Sequence, residues 1–180
     1  MRELYDIDIS DSTISRITDK ILPIVKEWQE RPLEEVYAVV FMDAIHYHVR
    51  SEGRIVKRAV YIALGIDMNG KKDVLGMYVG ENESAKFWHD NWATLSTYFK
   101  YPEAVRRLIY TTNAIEGFNR QLRKVTKSKT VFPSDDSLLK MLYLATMDIT
   151  KKWTGHRQDW GQIHSQLEIY FEERLIGRSL

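Results

Sequence analysis

VYAVVFMDAIHYHVR (residues 36–50) decides how this chain is read. Val36 to Met42 is an unbroken apolar run rich in β-branched and aromatic types, a composition that predicts a strand covered on both faces. After Ser51-Glu52-Gly53 a second run follows from Arg54 to Ile66. After Asn69-Gly70, a hairpin signal, a third runs from Asp73 to Val79. Three antiparallel strands are expected over residues 36–80.

Beyond Glu81 the period becomes helical, and four or five helices are expected over 81–180. Asp136 to Trp153 sets Leu139, Leu142, Tyr143, Thr146 and Ile149 on one side. Trp160 to Leu175 does so with Ile163, Leu167, Tyr170 and Phe171. Pro102 suits the first turn of one helix, and Pro133 before Ser134 or Asp135 opens another. Upstream, Ile14, Ile17, Ile21, Ile24, Val25 and Trp28 recur at helical spacing, with Ser10, Asp11 or Ser12 available as cap. Pro23 should kink or split that helix. The fold class is α+β.

The 180 residues, 44% hydrophobic and 28% charged, suffice for one domain with at most a small appendage. The absence of cysteine excludes disulfides, zinc-thiolate sites and thiol nucleophiles. No apolar run approaches the ~20 residues needed to span a bilayer, and Met1 to Ile9 is unlike a secretory signal, so a soluble, cytoplasmic protein is expected. The formal charge is only +1. Acids outnumber bases in residues 1–90, and the order reverses in 91–180. A polyanion would meet the second half first.

Asp43 interrupts the first strand. A carboxylate there is costly to desolvate unless a cation, metal or donor is near, although backbone amides at a strand end would also satisfy it. Glu116 is the second candidate, on a helix whose expected buried stripe is Ile115, Phe118, Leu122 and Val125. Asn113-x-x-Glu116 equally matches a capping box. Residues 104–129 carry Arg106, Arg107, Arg120, Arg123, Lys124, Lys127 and Lys129 against the single acid Glu116. Such a face repels itself unless a polyanion or acidic partner relieves it.

VVFMDAIHYHVR (39–50), LGMYVGENESAKFW (75–88) and YTTNAIEGFNRQLRKVTKSKTVFPSDDSLLKMLYLATMDITKKW (110–153) resemble the Mutator-type bacterial insertion-sequence transposases with a DDE active site. The resemblance implies a ribonuclease-H-like core whose first catalytic Asp is Asp43 and whose late catalytic Glu is Glu116. It further implies a divalent metal, Mg2+ with Mn2+ as substitute, held by those two acids. Arg120, Arg123, Lys124, Lys127 and Lys129 would then grip DNA phosphates. The substrates would be transposon terminal inverted repeats and target DNA. STISRITDK (12–20) resembles the end of the family's helix-turn-helix region, making residues 1–35 a remnant of the DNA-binding part and 36–180 an incomplete catalytic domain.

A complete member supplies a second Asp from a later strand, then a Cys-x-x-His segment and a helical insertion. Here GENESAKFW (80–88) runs straight into HDNWATLSTYFKYPEAV (89–105), as in an internally deleted copy. Asp67 sits six residues beyond the point opposite Asp43, ~20 Å away, and Asp73 lies at the same distant end. Glu81, Glu83 and Asp90 are the remaining substitutes, the first two ~10 Å from the first strand. Loss of the neighbouring strand would leave Val36 to Met42 on a sheet edge, which predicts aggregation, dimerisation through that edge, or a helix such as Phe87 to Phe99 packing over it; a homo-oligomer or a hetero-oligomer with full-length transposase is the expected assembly. His46 and His48 share a strand face and can be read as a zinc pair or as surface residues. The function expected is transposition chemistry in a copy lacking one catalytic acid; the alternative is a non-catalytic, DNA-binding or transposase-associating remnant.

Overall fold

A computed structural model describes residues 19–80 and 113–172. In chain order these form α1 (Ile21–Glu30), β1 (Tyr37–Ser51), β2 (Arg54–Asp67), β3 (Lys72–Gly80), α2 (Asn113–Thr126), α3 (Asp135–Thr150) and α4 (Trp160–Tyr170). The strands make one antiparallel sheet in the order β1-β2-β3. The fold is α+β, as the change of period implies. The expected helix over Phe87 to Phe99, the Ser10 to Ser12 cap and the Pro102 helix start lie outside the described residues.

The two hairpin turns show why the strands stop where they do. Ser51 pairs with Arg54, leaving Glu52 and Gly53 as a two-residue loop with φ of 50° and 76°. Two positive φ angles are the mark of a type I′ turn, whose twist matches that of the strands. This tight loop sets Asp43 opposite Ile62, one position from the Tyr61 that a looser reading gives. The second turn is wider than a two-residue Asn-Gly loop. Asp67 Oδ1 accepts from the amides of Asn69 and Lys71, both at 2.8 Å, and only Gly70 of this turn has positive φ. The short acidic side chain organises the loop itself.

One face of the sheet meets the helices. Phe41, Ile45, Tyr47 and Val49 from β1, Val60, Ile62, Leu64 and Ile66 from β2, and Val74 and Met77 from β3 are buried against it. Phe118 and Leu122 of α2, Leu138, Leu142 and Ile149 of α3, and Ile163 and Leu167 of α4 complete the same core. The expectation that Val36 to Met42 is covered on both faces is corrected. Phe41 is 7% exposed, but Val40 is 46% and Met42 65% exposed, so β1 is buried on alternate residues. The described helices all pack on the one face. Among the described residues β1 is an edge strand, and part of its outer side is met by Phe132, whose amide donates to His48 O and whose carbonyl accepts from Arg50 N, both at 2.8 Å.

Pro23 acts as expected. Asp19 is helical, Lys20 lies in a turn, and α1 begins at Ile21. The proline ring would clash with the carbonyl four residues back, here that of Asp19, in an unbroken helix; the hydrogen-bonded run is interrupted at Lys20, and Pro23 stands harmlessly in the first turn of α1. α1 docks through Arg31, whose Nη2 bonds both Asp73 carboxylate oxygens at 3.0 Å and Val74 O at 2.8 Å. Trp28 packs edge-on against Tyr143 of α3, with centroids 5.6 Å apart. α3 opens at Ser134, whose hydroxyl accepts from Ser137 N, as the Pro133-Ser134 signal implies.

α4 locks the β2–β3 turn. Trp160 Nε1 donates to Met68 O at 2.9 Å, and the indole covers Gly70 so closely that a Cβ there would fall 2.6 Å from ring atoms. With φ of 77°, Gly70 is also strained for any side chain. Gly70→Ala should therefore lower stability by about 2 kcal/mol or more from backbone strain and overpacking together, read by urea denaturation. Gly53→Ala is the control, because its φ of 76° is similar but nothing lies within 4 Å of the added methyl. A smaller loss there isolates the Trp160 clash.

Candidate functional site

Asp43 stands on the same side of β1 as Phe41, Ile45 and Tyr47, yet it is exposed. Its carboxylate is held twice. Oδ1 accepts from the Ala44 amide at 2.8 Å, and Oδ2 accepts from Asn119 Nδ2 at 2.6 Å. The first bond is the strand-end satisfaction that the sequence permits; the second reaches across to α2. A carboxylate oxygen carries two lone pairs, so each keeps one for a further donor or a cation.

Asn119 is 3% exposed, and its Oδ1 meets no hydrogen-bond partner. A hydrogen bond to a charged group contributes about 1.5–3 kcal/mol, at the low end when that group faces solvent. Leaving a buried carbonyl unpaired costs about 1–3 kcal/mol. The two nearly cancel. Stability alone therefore gives no reason for an amide at this place in the core.

Glu116 lies three residues before Asn119 on α2, one turn away on the same side of the helix, and it is exposed. The two acids singled out from the sequence thus sit on elements that Asn119 joins directly. The capping-box alternative depends on Asn113, which opens α2 and whose side chain is not described. Ile115, Phe118 and Leu122 are buried as expected. Val125 is not: it is 45% exposed, and Thr126 is buried in its stead, its hydroxyl bonded to Leu122 O at 3.0 Å. At 3.6 residues per turn the core face passes through 115, 119, 122 and 126 and leaves 125 outside.

The cationic residues divide into two groups. Arg120, Arg123 and Lys124 are exposed on α2, where Arg123 and Lys124 also complement the negative end of the helix dipole. The basic run does not continue along the helix to Lys127 and Lys129. α2 ends at Thr126, and both lysines lie exposed in the turn that follows. Lys129 N donates to Thr126 O at 2.9 Å, and the chain then reaches Phe132 on the β1 edge. There the Phe132 ring meets Tyr47 edge-on at 5.7 Å. Burial pushes the Tyr47 phenol above its ordinary range, opposed by the Thr126 hydroxyl and the Arg123 charge.

Other candidates separate from this place. Asp67 pairs with Tyr37 and Asp73 with Gly65, far along the sheet, and their carboxylates serve the turn and Arg31. His46 and His48 are exposed on alternate positions from buried Ile45, Tyr47 and Val49, on the other face from Asp43. Glu81, Glu83 and Asp90 lie outside the described residues. Among the described residues, no group of three or more His, Asp or Glu is placed to hold a metal ion, and no helix is long and apolar enough to cross a membrane. Asn119, which bonds Asp43 across to α2, is missed by sequence reasoning. The signal it offers is a polar residue at the 115-119-122 spacing of a buried stripe.

Comparison with known proteins places these observations. A family model described as "Transposase, Mutator family" matches residues 1–95 and 88–156. The two matched pieces meet at the point where GENESAKFW runs into HDNWATL. The chain is 27% identical over 278 residues to the transposase of insertion sequence element ISRM3 from Rhizobium meliloti (strain 1021), spanning 98% of this chain and 70% of that protein. It is 26% identical, over the same shares, to a probable transposase for an ISRM3-like element from Sinorhizobium fredii. Over 83 residues, 46% of this chain and 21% of the relative, it is 42% identical to the IS406 transposase of Burkholderia multivorans. An alignment over 278 residues exceeds the 180 of this chain, so the ISRM3 protein has intervening sequence that this chain lacks. The chain belongs to the Mutator family of transposases.

Proposed function

We propose that this chain is the DNA-handling part of an insertion-sequence transposase, a remnant of a ribonuclease-H-like catalytic domain of the DDE type. Asp43 and Glu116 are two of its three metal-binding acids. The observation that carries this reading is the Asn119–Asp43 hydrogen bond, which fastens the helix of Glu116 to the strand of Asp43. The donor set suits a hard cation. Both acids are exposed, the Asp43 oxygens keep free lone pairs, and the chain has no cysteine. Mg2+, or Mn2+ in its place, takes such oxygen ligands. When bound, the metal would supply positive charge for the attacking and leaving oxygens of a phosphodiester.

The residues themselves bind and orient. Arg120, Arg123, Lys124, Lys127 and Lys129 contact phosphates of transposon terminal inverted repeats or target DNA, fixing the position of the duplex without reading its sequence. Residues 1–35 belong to a DNA-binding region. The third acid, the second Asp, is missing along with the intervening sequence that the ISRM3 relative retains, and Glu81, Glu83 and Asp90 are the acids left to stand in for it. The copy therefore binds DNA but does not cleave it alone. The unmatched length of the alignment favours the related reading in which it acts as a non-catalytic subunit, pairing with itself or with full-length transposase.

Two measurements check this. Binding to duplex DNA should weaken linearly in log–log salt plots. Arg120→Ala, Arg123→Ala and Lys124→Ala should each make that slope shallower by about 0.9, the value of one neutralised phosphate. An unchanged slope in all three variants would remove α2 from the DNA interface. In a strand-transfer assay with Mg2+ or Mn2+, the chain alone should give no product, and Asp43→Asn and Glu116→Gln should leave DNA binding intact. Product formation abolished by those two substitutions would show a complete active site.

A further inference from the structure

The charge-assisted hydrogen bond beneath Asp43 points to a residue with a task of its own. We propose that Asn119 is the positioning residue for the Asp43 carboxylate, holding it toward the turn of α2 that carries Glu116; this rests on the reading of Asp43 as a metal-binding acid. Three observations combine. Asn119 occupies a core position of α2, 3% exposed among Ile115, Phe118 and Leu122, where an apolar side chain would leave no polar atom unpaired. Its Oδ1 is unpartnered, so the amide is retained for its NH2 group alone. That group donates to Asp43 Oδ2 at 2.6 Å, and hydrogen bonds to a carboxylate are among the stronger ones.

The amide cannot be reversed. Turning it would set Oδ1 against the carboxylate, acceptor against acceptor. With the Ala44 amide on Oδ1 of Asp43 at 2.8 Å, the carboxylate is fixed at both oxygens, by its own strand and by the helix. Its remaining lone pairs face solvent, since Asp43 itself is exposed. Because Glu116 lies one turn from Asn119, the same bond that orients one acid sets the distance of the element bearing the other. Groups that orient a metal-binding carboxylate in this way typically govern ~10- to 100-fold in metal affinity.

The test uses the full chain and Mn2+ alone, with free ion followed by electron paramagnetic resonance. Wild type should bind Mn2+, Asp43→Asn should abolish binding, and Asn119→Leu should weaken it ~10- to 100-fold. Asn119→Leu should melt at or above the wild-type temperature, since it removes the unpaired carbonyl. A purely structural Asn119 gives the opposite pattern: a lower melting temperature with Mn2+ affinity unchanged, which overturns the proposal while the metal reading stands. A wild type whose Mn2+ binding is absent or insensitive to Asp43→Asn sinks the metal reading instead. The positioning role is then decided without metal, from the Asn119 side-chain amide proton resonances. They should lie downfield in wild type and move upfield in Asp43→Ala, whose exposed substitution leaves the core intact. Resonances that do not move refute the clamp.

Discussion

The hydrogen bond between Asn119 and Asp43 joins α2 to β1 at the strand position that carries the first of the two acids. Apolar packing would seat α2 on β1 without it. Ile115, Phe118 and Leu122 already bury their side chains against the sheet, and at ~1.5–3 kcal/mol for each fully buried aliphatic or aromatic side chain they supply far more stabilisation than one exposed-end hydrogen bond. Such packing fixes a layer but tolerates small slides of one element on another. A hydrogen bond of 2.6 Å to a charged oxygen does not. It sets the strand–helix register at the place where the elements bearing Asp43 and Glu116 meet.

The rest of the architecture serves that register. The type I′ loop at Glu52-Gly53 fixes how β2 lies against β1, and so puts Ile62 beside Asp43. Trp160 over Gly70 closes the opposite end of the sheet. Arg58 of β2 reaches Asp135 at 3.2 Å, tying the first turn of α3 to the sheet. Phe132 brings the chain back from α2 to the β1 edge, and with it the exposed Lys127 and Lys129. A cationic surface and Glu116 are thereby presented on one helix and the turn that follows it, with Asp43 bonded to that helix.

Much of this is legible in the residues, and the exceptions have physical causes. Strand order and helix identity follow from period and turn chemistry, because Glu52-Gly53, Asn69-Gly70, Ser134 and Pro23 act through local geometry that a sequence displays. The two-sided burial expected of Val36–Met42 fails, since an apolar run states that a strand can be buried and not how many layers pack on it; Met42 is 65% exposed. Val125 departs from expectation through a one-residue error of helical phase. Asp43 and Glu116 are visible as acids in unusual settings and through family resemblance. Asn119 is not, because its importance lies in a partner 76 residues away, and no local pattern encodes a long-range hydrogen bond.

The central claim is that Asp43 and Glu116 share one divalent ion. Its most direct test is a crystal structure of the full chain grown with Mn2+, read from the anomalous difference density. A single strong peak should lie ~2.0–2.2 Å from a carboxylate oxygen of each residue, within the range for small hard cations, with Asn119 still bonded to Asp43. A saturated crystal with no such peak, or with the two carboxylates turned to separate surfaces, would contradict the account.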